Sequence, residues 1–272
     1  PEDLKLVLVL EAQRLAQLYR IVPESPAQVK YYAHSKEGVG KSEWQRLIDH
    51  LNNTAFLAHR LGQDAGVSEL ASTAAYLHDI GKFSQAFQRR LEGSKHVVDH
   101  ATAGAREILQ LFPTEPQKSF AQVLAYCIAG HHSGLPDHGS PTDTEDDASL
   151  QARLTKKKLE DYTAFKSEMD FSKIGFQPLR IKPIKGHPFF TASFLTRMVF
   201  STLVDADWLE TETYMNGGRK PRGEYASIEA LCQQFNSFLS WFDAPVTDIN
   251  CTRSEIFNAW SEKAKDSPGF FT

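Results

Sequence analysis

Histidine and aspartate side chains of metal-binding type recur along this chain, and each lies on or at the end of a segment with the apolar periodicity of an amphipathic helix. In chain order they are His50, the adjacent pair His78 and Asp79, His100, the adjacent pair His131 and His132, and Asp205. Several helices that direct imidazoles and carboxylates inward would build a metal centre in the core of a bundle. We therefore predict an all-α helical bundle around a central metal site, with few or no strands.

The composition is that of a folded domain and excludes a disordered chain. The chain has 272 residues, of which 41% are hydrophobic, so it can bury a full core. Its net charge of -4 provides no global attraction to nucleic acid or to acidic membranes. A polyanion would therefore have to be held by a local basic patch or by bound cations.

The cysteine pattern indicates a reducing compartment. Cys127, Cys232 and Cys251 are the only cysteines in the sequence, and they show no paired CxxC spacing, which argues against a thiolate zinc site. No apolar run approaches the roughly 20 residues that span a bilayer, and residues 1–20 carry no signal-cleavage signature. We expect a cytoplasmic protein whose site uses imidazole and carboxylate ligands.

Helix periodicity predicts how the candidate ligands are placed. A helix is expected over residues 70–80 and should end at Gly81 in a left-handed cap. Asp99 is expected to cap the next helix.

Asp205 shares the apolar face of a long later helix, where a buried carboxylate needs a partner. Asp207 lies about 200° around that helix from Asp205 and is expected to face elsewhere.

The adjacency of His78 and Asp79 restricts the shape of the site. Neighbouring residues are about 100° apart on a helix, so both side chains can reach one cavity only at a helix end or between two metal ions. A carboxylate that bridges two cations satisfies this geometry.

The motif His-Asp-Ile-Gly-Lys at residues 78–82, with a histidine on an earlier helix and an aspartate on a later one, resembles the HD phosphohydrolase superfamily. Further motifs over about residues 31–265 look like the HD nuclease domain of the CRISPR-associated helicase-nuclease of type I interference systems. They are Ala33-His34-Ser35, Trp44, His50-Leu51, Asp99-His100-Ala101, Gly130-His131-His132-Ser133-Gly134 and Leu203-Val204-Asp205-Ala206-Asp207. The tandem histidine pair is the most discriminating of them.

The resemblance implies two metal positions that share Asp79. One would be held by His50, His78, Asp79 and Asp205, and the other by Asp79, His100, His131 and His132. Imidazole-rich ligation favours Mn, Fe, Co or Ni over Mg. The implied reaction is the hydrolysis of phosphodiester bonds in single-stranded DNA by an activated water. Cleavage would be endonucleolytic, and exonucleolytic trimming would follow when a helicase delivers the single strand to the site. Asp79 and Lys82 would carry catalysis, with Lys82 contacting the scissile phosphate.

The resemblance also implies a domain organisation and partners. We expect an N-terminal helix and linker at 1–30, the HD nuclease domain at 31–265, and the start of a connection to a helicase domain at 266–272. The partners implied are single-stranded DNA, a helicase domain or subunit, and an RNA-guided surveillance complex of the Cascade type. By charge alone, the loop with Arg219, Lys220 and Arg222 is a candidate for gripping the strand.

Two alternative functions stay open on the sequence. A nucleotide phosphohydrolase or cyclic nucleotide phosphodiesterase of the same superfamily would use the same metal chemistry on a small substrate. A non-catalytic docking module would keep the ligands only to stabilise its fold. Singly, His131 is as readily a core residue, Asp205 a helix cap and the basic loop a solvated surface, so the joint pattern carries the metal-site prediction.

Overall fold

The computed structural model describes residues 29–220, 222, 226–242 and 246–266, and helices dominate this part of the chain. The predicted N-terminal helix and most of the 266–272 connection lie outside the described residues. The α-helices are α1 (Leu47–Leu61), α2 (Ser68–Leu77), α3 (Gln85–Leu91), α4 (Ala101–Leu111), α5 (Gln117–Gly130), α6 (Leu150–Thr155), α7 (Phe165–Glu168), α8 (Pro188–Met215), α9 (Ile228–Leu239) and α10 (Asp248–Lys263). Short 3₁₀ helices occur at Lys41–Glu43, Ile80–Phe83, Phe171–Lys173 and Ser240–Phe242. The prediction of an all-α bundle is confirmed.

A two-stranded antiparallel sheet lies beside the helices. β1 (Tyr32–His34) pairs with β2 (Gln45–Arg46), and the register sets Tyr32 opposite Arg46 with an irregularity before His34. Gln88 on α3 bonds both polar groups of the Tyr32 backbone at 3.0 Å, so a side chain satisfies this edge of the sheet. The sheet leads directly into α1, and β2 ends where α1 begins.

The core is built mainly from α1, α2, α4, α5 and α8. On α1 the residues at steps of three and four are buried, and His50 shares this inward face with Leu47, Leu51 and Thr54. Helix α2 buries nearly its whole length, and much of that surface is alanine. Small side chains let neighbouring helices approach closely, so polar groups at the helix ends are brought near one another inside the bundle.

Gly104 marks the closest approach between α4 and its neighbours. A β-carbon at this position would lie 2.1 Å from the Leu77 carbonyl oxygen and 2.9 Å from Cγ2 of Ile128. Both distances are shorter than van der Waals contact, so only glycine fits here. The contact holds α4 against the last residue of α2, directly before His78.

The chain divides into two compact units, Pro1–Lys220 and Pro221–Thr272. The first holds the sheet and helices α1–α8, and the second holds α9 and α10. In the second unit Phe235 and Phe257 meet edge to face, with ring centroids 6.4 Å apart. The predicted domain limits of 31–265 run across this division and stay a prediction.

None of the helices in the described ranges combines the length and the apolar character that a bilayer-crossing segment requires.

Replacing Gly104 with alanine should destabilise the fold. Alanine gains about 1 kcal/mol of helix propensity over glycine, but forcing a methyl group into a filled space costs about 3 kcal/mol. We therefore expect the free energy of unfolding in urea to fall by about 2 kcal/mol. Gly40→Ala is the control, because its β-carbon would meet only Ser42 Oγ, at 3.8 Å. A Gly104→Ala protein as stable as the Gly40→Ala protein would contradict this packing.

Candidate metal centre

Seven ionisable side chains from five parts of the bundle meet at one point. They are His50 on α1, His78 and Asp79 after α2, His100 before α4, His131 and His132 after α5, and Asp207 on α8. Their candidate ligand atoms form three overlapping groups, within each of which all atoms lie within 4.8 Å of one another. The groups are Asp79 with His100, His131 and His132; His50 with His78 and Asp79; and His78 with His131 and Asp207.

Helix ends place several of these residues. Helix α2 ends at Leu77 rather than at the predicted Ile80, so His78 and Asp79 lie at a helix end, where adjacent side chains can reach one cavity. The prediction that Gly81 forms a left-handed cap is wrong, because Gly81 lies in a 3₁₀ turn with no positive φ. Glycine is needed at this position because another backbone segment packs against it. A β-carbon there would lie 2.3 Å from the carbonyl oxygen of His100, so glycine lets the His100 backbone approach Asp79.

Backbone carbonyls fix the orientation of three imidazoles. In each case Nδ1 lies within hydrogen-bond distance of a carbonyl oxygen, which can only accept, so Nδ1 carries the proton and Nε2 presents its lone pair. The distances are 2.6 Å from His78 to Ala75, 2.7 Å from His131 to Ile128 and 3.2 Å from His100 to Val98. This is the tautomer in which Nε2 binds a metal ion.

The fourth imidazole, His50, uses a carboxylate for the same purpose. Its Nδ1 lies 2.6 Å from Oε2 of Glu210, a buried residue on α8. The sequence analysis did not identify Glu210. The available signal was its spacing of three residues from Asp207, which places two acids along one side of α8.

Asp205 does not belong to the cluster, and its prediction as a ligand is wrong. The side chain is exposed, whereas Asp207 reaches the centre. Leu203 is fully buried and defines the inward face of α8. Asp207 follows it by four residues, one helical turn, and Asp205 by two, which turns it to the opposite side. The expectation that Asp207 faces elsewhere is wrong for the same reason.

Asp79 lies between two sets of imidazoles and offers each set a different oxygen. Its Oδ2 is 3.5 Å from His50 Nε2 and 3.3 Å from His78 Nε2. Its Oδ1 is 3.5 Å from His100 Nε2 and 3.4 Å from His131 Nε2. These separations exceed those of good hydrogen bonds. The oxygens and nitrogens therefore surround space on both sides of one carboxylate.

Buried ligand atoms without hydrogen bonds show that the residues fit divalent cations. Nε2 of His50, His78 and His131 and Oδ1 of Asp79 are buried and have no hydrogen-bond partner in the described part of the chain. An isolated buried polar atom costs about 1–3 kcal/mol. Coordination of divalent cations would satisfy all four atoms, and the donor set of imidazole and carboxylate suits divalent transition metals.

The carboxylates make the inner side of the centre strongly negative. Burial disfavours the charged form of His50, but Asp207, Asp79 and Glu210 outweigh it and raise the pKa of His50 to about 10. For His78 burial is opposed in the same way by Asp79 and Asp207, and the pKa rises to about 9. The potential that attracts a proton to these Nε2 atoms also attracts a divalent cation, which takes the place of the proton when it binds.

The outer side of the centre is neutral and open. Burial lowers the pKa of His100 to about 4. Partial burial of the ring, together with the neighbouring His131, lowers the pKa of His132 to about 4. Their Nε2 atoms are 2.9 Å apart, and His132 is exposed. Two uncharged imidazoles therefore converge where the centre meets solvent.

Helix α6 anchors the backbone segments that carry these outer histidines. The N-cap of α4 is His100 rather than the predicted Asp99, but Asp99 still accepts from Thr102 N at 3.2 Å. It also accepts from Nζ of Lys156, the residue that follows α6, at 3.0 Å. Arg153 donates to Ser133 Oγ at 3.1 Å, directly after His132. Both segments are thus tied to α6 and the residue that directly follows it.

Lys82 lies inside the protein and pairs with Asp79. Its Nζ is 2.6 Å from Asp79 Oδ2, and the residue is only 4% exposed. Burial raises the pKa of Asp79, but Lys82 and the neighbouring imidazoles hold it well below its usual range. Contact of Lys82 with a scissile phosphate stays a prediction.

The structure also gives the positions of His34 and of the basic loop. His34 lies behind His50, with ring centroids 5.1 Å apart, and burial lowers its pKa to about 3. Arg219, Lys220 and Arg222 are exposed after the end of α8. Arg219 and Lys220 close the first unit and Arg222 lies in the second. Strand contact by this loop stays a prediction.

Replacing Asp207 with asparagine should weaken metal binding, whereas Asp205→Asn should not, although both changes remove one carboxylate from α8. We expect Mn²⁺ affinity, measured by isothermal titration calorimetry, to fall in Asp207→Asn by at least the roughly 10- to 100-fold typical for loss of an outer-shell partner. Asp205→Asn should match the parent protein. A larger loss in Asp205→Asn would reverse the assignment of the two residues.

Comparison with known families agrees with this geometry. The family model described as Cas3, HD domain, matches residues 33–213, a range that contains all seven residues of the cluster and Glu210. No curated protein matches the chain. The match covers more than half of the sequence and confirms the resemblance inferred from the motifs. The chain therefore belongs to the family of Cas3 HD domains, metal-dependent nucleases of CRISPR systems.

Proposed function

We propose that this chain cuts single-stranded DNA with two divalent cations held on either side of Asp79, as part of CRISPR type I interference. The observation that carries the proposal is the division of the Asp79 oxygens, Oδ2 towards one group of imidazoles and Oδ1 towards another. A carboxylate between two cations requires this arrangement. His50, His78 and Asp79 would hold one cation together with Asp207, whose Oδ1 is 3.4 Å from His50 Nε2 and 3.6 Å from His78 Nε2. Asp79, His100, His131 and His132 would hold the other.

A pair of divalent cations, when bound, would activate a water for attack on phosphorus and stabilise the attacking and leaving oxygens. The protein's own contribution is orientation and charge. Carbonyls and Glu210 aim the Nε2 atoms inward. Asp79 stays ionised despite burial, so it retains both oxygens as ligands. Lys82 pairs with Asp79 and helps to keep it ionised, and we propose that its ammonium group would contact the scissile phosphate.

The donor set supports a transition metal rather than magnesium. Five imidazoles contribute against two aspartates, and Mg²⁺ prefers oxygen ligands and retained waters. Mn, Fe, Co or Ni accept imidazole nitrogen more readily. We propose that the active enzyme uses two ions of this group.

Access to the centre supports a single-stranded substrate. His50 and His78 are fully buried, whereas His132 is exposed, so we propose that a phosphate enters beside His132. A flexible single strand can present a phosphate to such a recess more easily than a rigid duplex. Because the net charge of -4 does not attract DNA, the bound cations and the loop of Arg219, Lys220 and Arg222 would have to provide the attraction.

The family places the chain in a CRISPR context with a DNA substrate. We propose further that a helicase domain or subunit supplies the strand, and that an RNA-guided surveillance complex of the Cascade type recruits the nuclease in the cytoplasm.

Circular single-stranded DNA provides the direct test, because it has no ends. We expect the purified chain to linearise and degrade the circle with Mn²⁺, Co²⁺ or Ni²⁺ and much less with Mg²⁺, as followed on denaturing gels. Asp79→Asn should lower the rate by more than roughly 100-fold, since it removes a charge shared by both cations. Asp205→Asn, an exposed carboxylate-to-amide change, should leave the rate unaltered.

Other outcomes favour the alternatives. An intact circle together with hydrolysis of nucleotides or cyclic nucleotides would favour a small-molecule phosphohydrolase. A metal-loaded parent protein without turnover on either substrate would favour a docking module. Full activity in folded Asp79→Asn would contradict both catalytic functions.

A further inference from the structure

Glu210 differs from the other groups that orient the imidazoles, because its acceptor is a side-chain carboxylate rather than a backbone carbonyl. His78, His100 and His131 each contact a neutral carbonyl oxygen through Nδ1. His50 Nδ1 instead lies 2.6 Å from Glu210 Oε2. A carboxylate behind an imidazole fixes the tautomer and also increases the basicity of the nitrogen that faces the metal.

Glu210 is itself held firmly in place. The residue is only 5% exposed. Its second oxygen, Oε1, accepts from Gln45 Nε2 on β2 at 2.5 Å and from Asn53 Nδ2 on α1 at 3.2 Å. Both carboxylate oxygens are therefore bonded, and partners on two elements, β2 and α1, hold the group at one position. An ionised carboxylate is buried only where such partners compensate it.

The position of Glu210 on α8 links it to one side of the centre. It lies three residues after Asp207, whose Oδ1 is 3.4 Å from His50 Nε2. Glu210 thus lies on the Nδ1 side of the His50 ring, and Asp207 lies on the Nε2 side. On the side of His100 and His131 the corresponding contacts of Nδ1 are to backbone.

We propose that Glu210 is a positioning residue that strengthens one of the two cation positions selectively. It holds the Nδ1 proton of His50, keeps the Nε2 lone pair aimed at the position shared with His78 and Asp207, and adds negative charge behind that ligand. Among the described residues, the cation position between His100, His131 and His132 has no such carboxylate behind its ligands. The inference rests on the proposed pair of cations.

Glu210→Gln tests the proposal, because it removes the charge and keeps the shape. Mn²⁺ binding is measured by isothermal titration calorimetry on the whole chain, with stoichiometry checked by elemental analysis. We expect two equivalents in the parent protein. In Glu210→Gln one affinity should fall roughly 10- to 100-fold, as for other outer-shell partners, and the other should stay within about twofold. Asp205→Asn, the matched change at an exposed site on the same helix, should leave both affinities unchanged.

The outcomes separate this inference from the proposed function. Fewer than two equivalents in the parent protein would contradict the paired cations, whatever Glu210 does. Two equivalents in the parent with both affinities unchanged in Glu210→Gln, or with both reduced equally, would overturn the role of Glu210. Thermal unfolding of the metal-free proteins shows whether the variant is folded.

A second measurement needs no folded Glu210 variant. In the parent protein loaded with diamagnetic Zn²⁺ and labelled with ¹⁵N-histidine, His50 should show a far-downfield Nδ1 proton, assigned by its disappearance in His50→Gln. The downfield position follows from a short hydrogen bond to a charged acceptor. A His50 that carries its proton on Nε2, or whose Nδ1 proton lacks this shift, would overturn the proposal.

Discussion

The burial of an ionised Asp79 is the constraint on which the rest of this structure depends. A buried carboxylate is expensive unless opposite charge and hydrogen-bond donors surround it. Here Lys82 lies 2.6 Å from one oxygen, and four imidazoles face the two oxygens at 3.3–3.5 Å. These groups come from distant parts of the sequence, so the helices must pack closely for the charge to be tolerated.

Two glycines allow the close packing that brings the ligand residues together. Gly104 brings α4 against the end of α2, and Gly81 lets the His100 backbone approach the turn that follows. Without these contacts His100 would stand away from Asp79. The ligand residues thus lie at helix ends, where the side chains of adjacent residues such as His78 and Asp79 can point into a common space.

Sequence patterns were sufficient for the fold class, the family and six of the seven residues that the structure brings together. Sequence patterns were not sufficient to choose between Asp205 and Asp207, because the apolar periodicity of α8 set Asp205 on the inward face, whereas the buried Leu203 marks the inward face one turn before Asp207. Glu210 was missed because its spacing of three residues from Asp207 does not by itself distinguish a buried acid from an exposed one. Its role appears only when His50 of a distant helix meets it. The conformation of Gly81 likewise depends on a tertiary contact, with His100.

Anomalous scattering from a crystal of the Mn²⁺-loaded chain tests the central claim most directly. We expect two peaks roughly 3.5–4 Å apart, with one oxygen of Asp79 bound to each and Asp207 and His132 on opposite sides. A single peak, or two peaks of which one lies away from Asp79, would contradict the account.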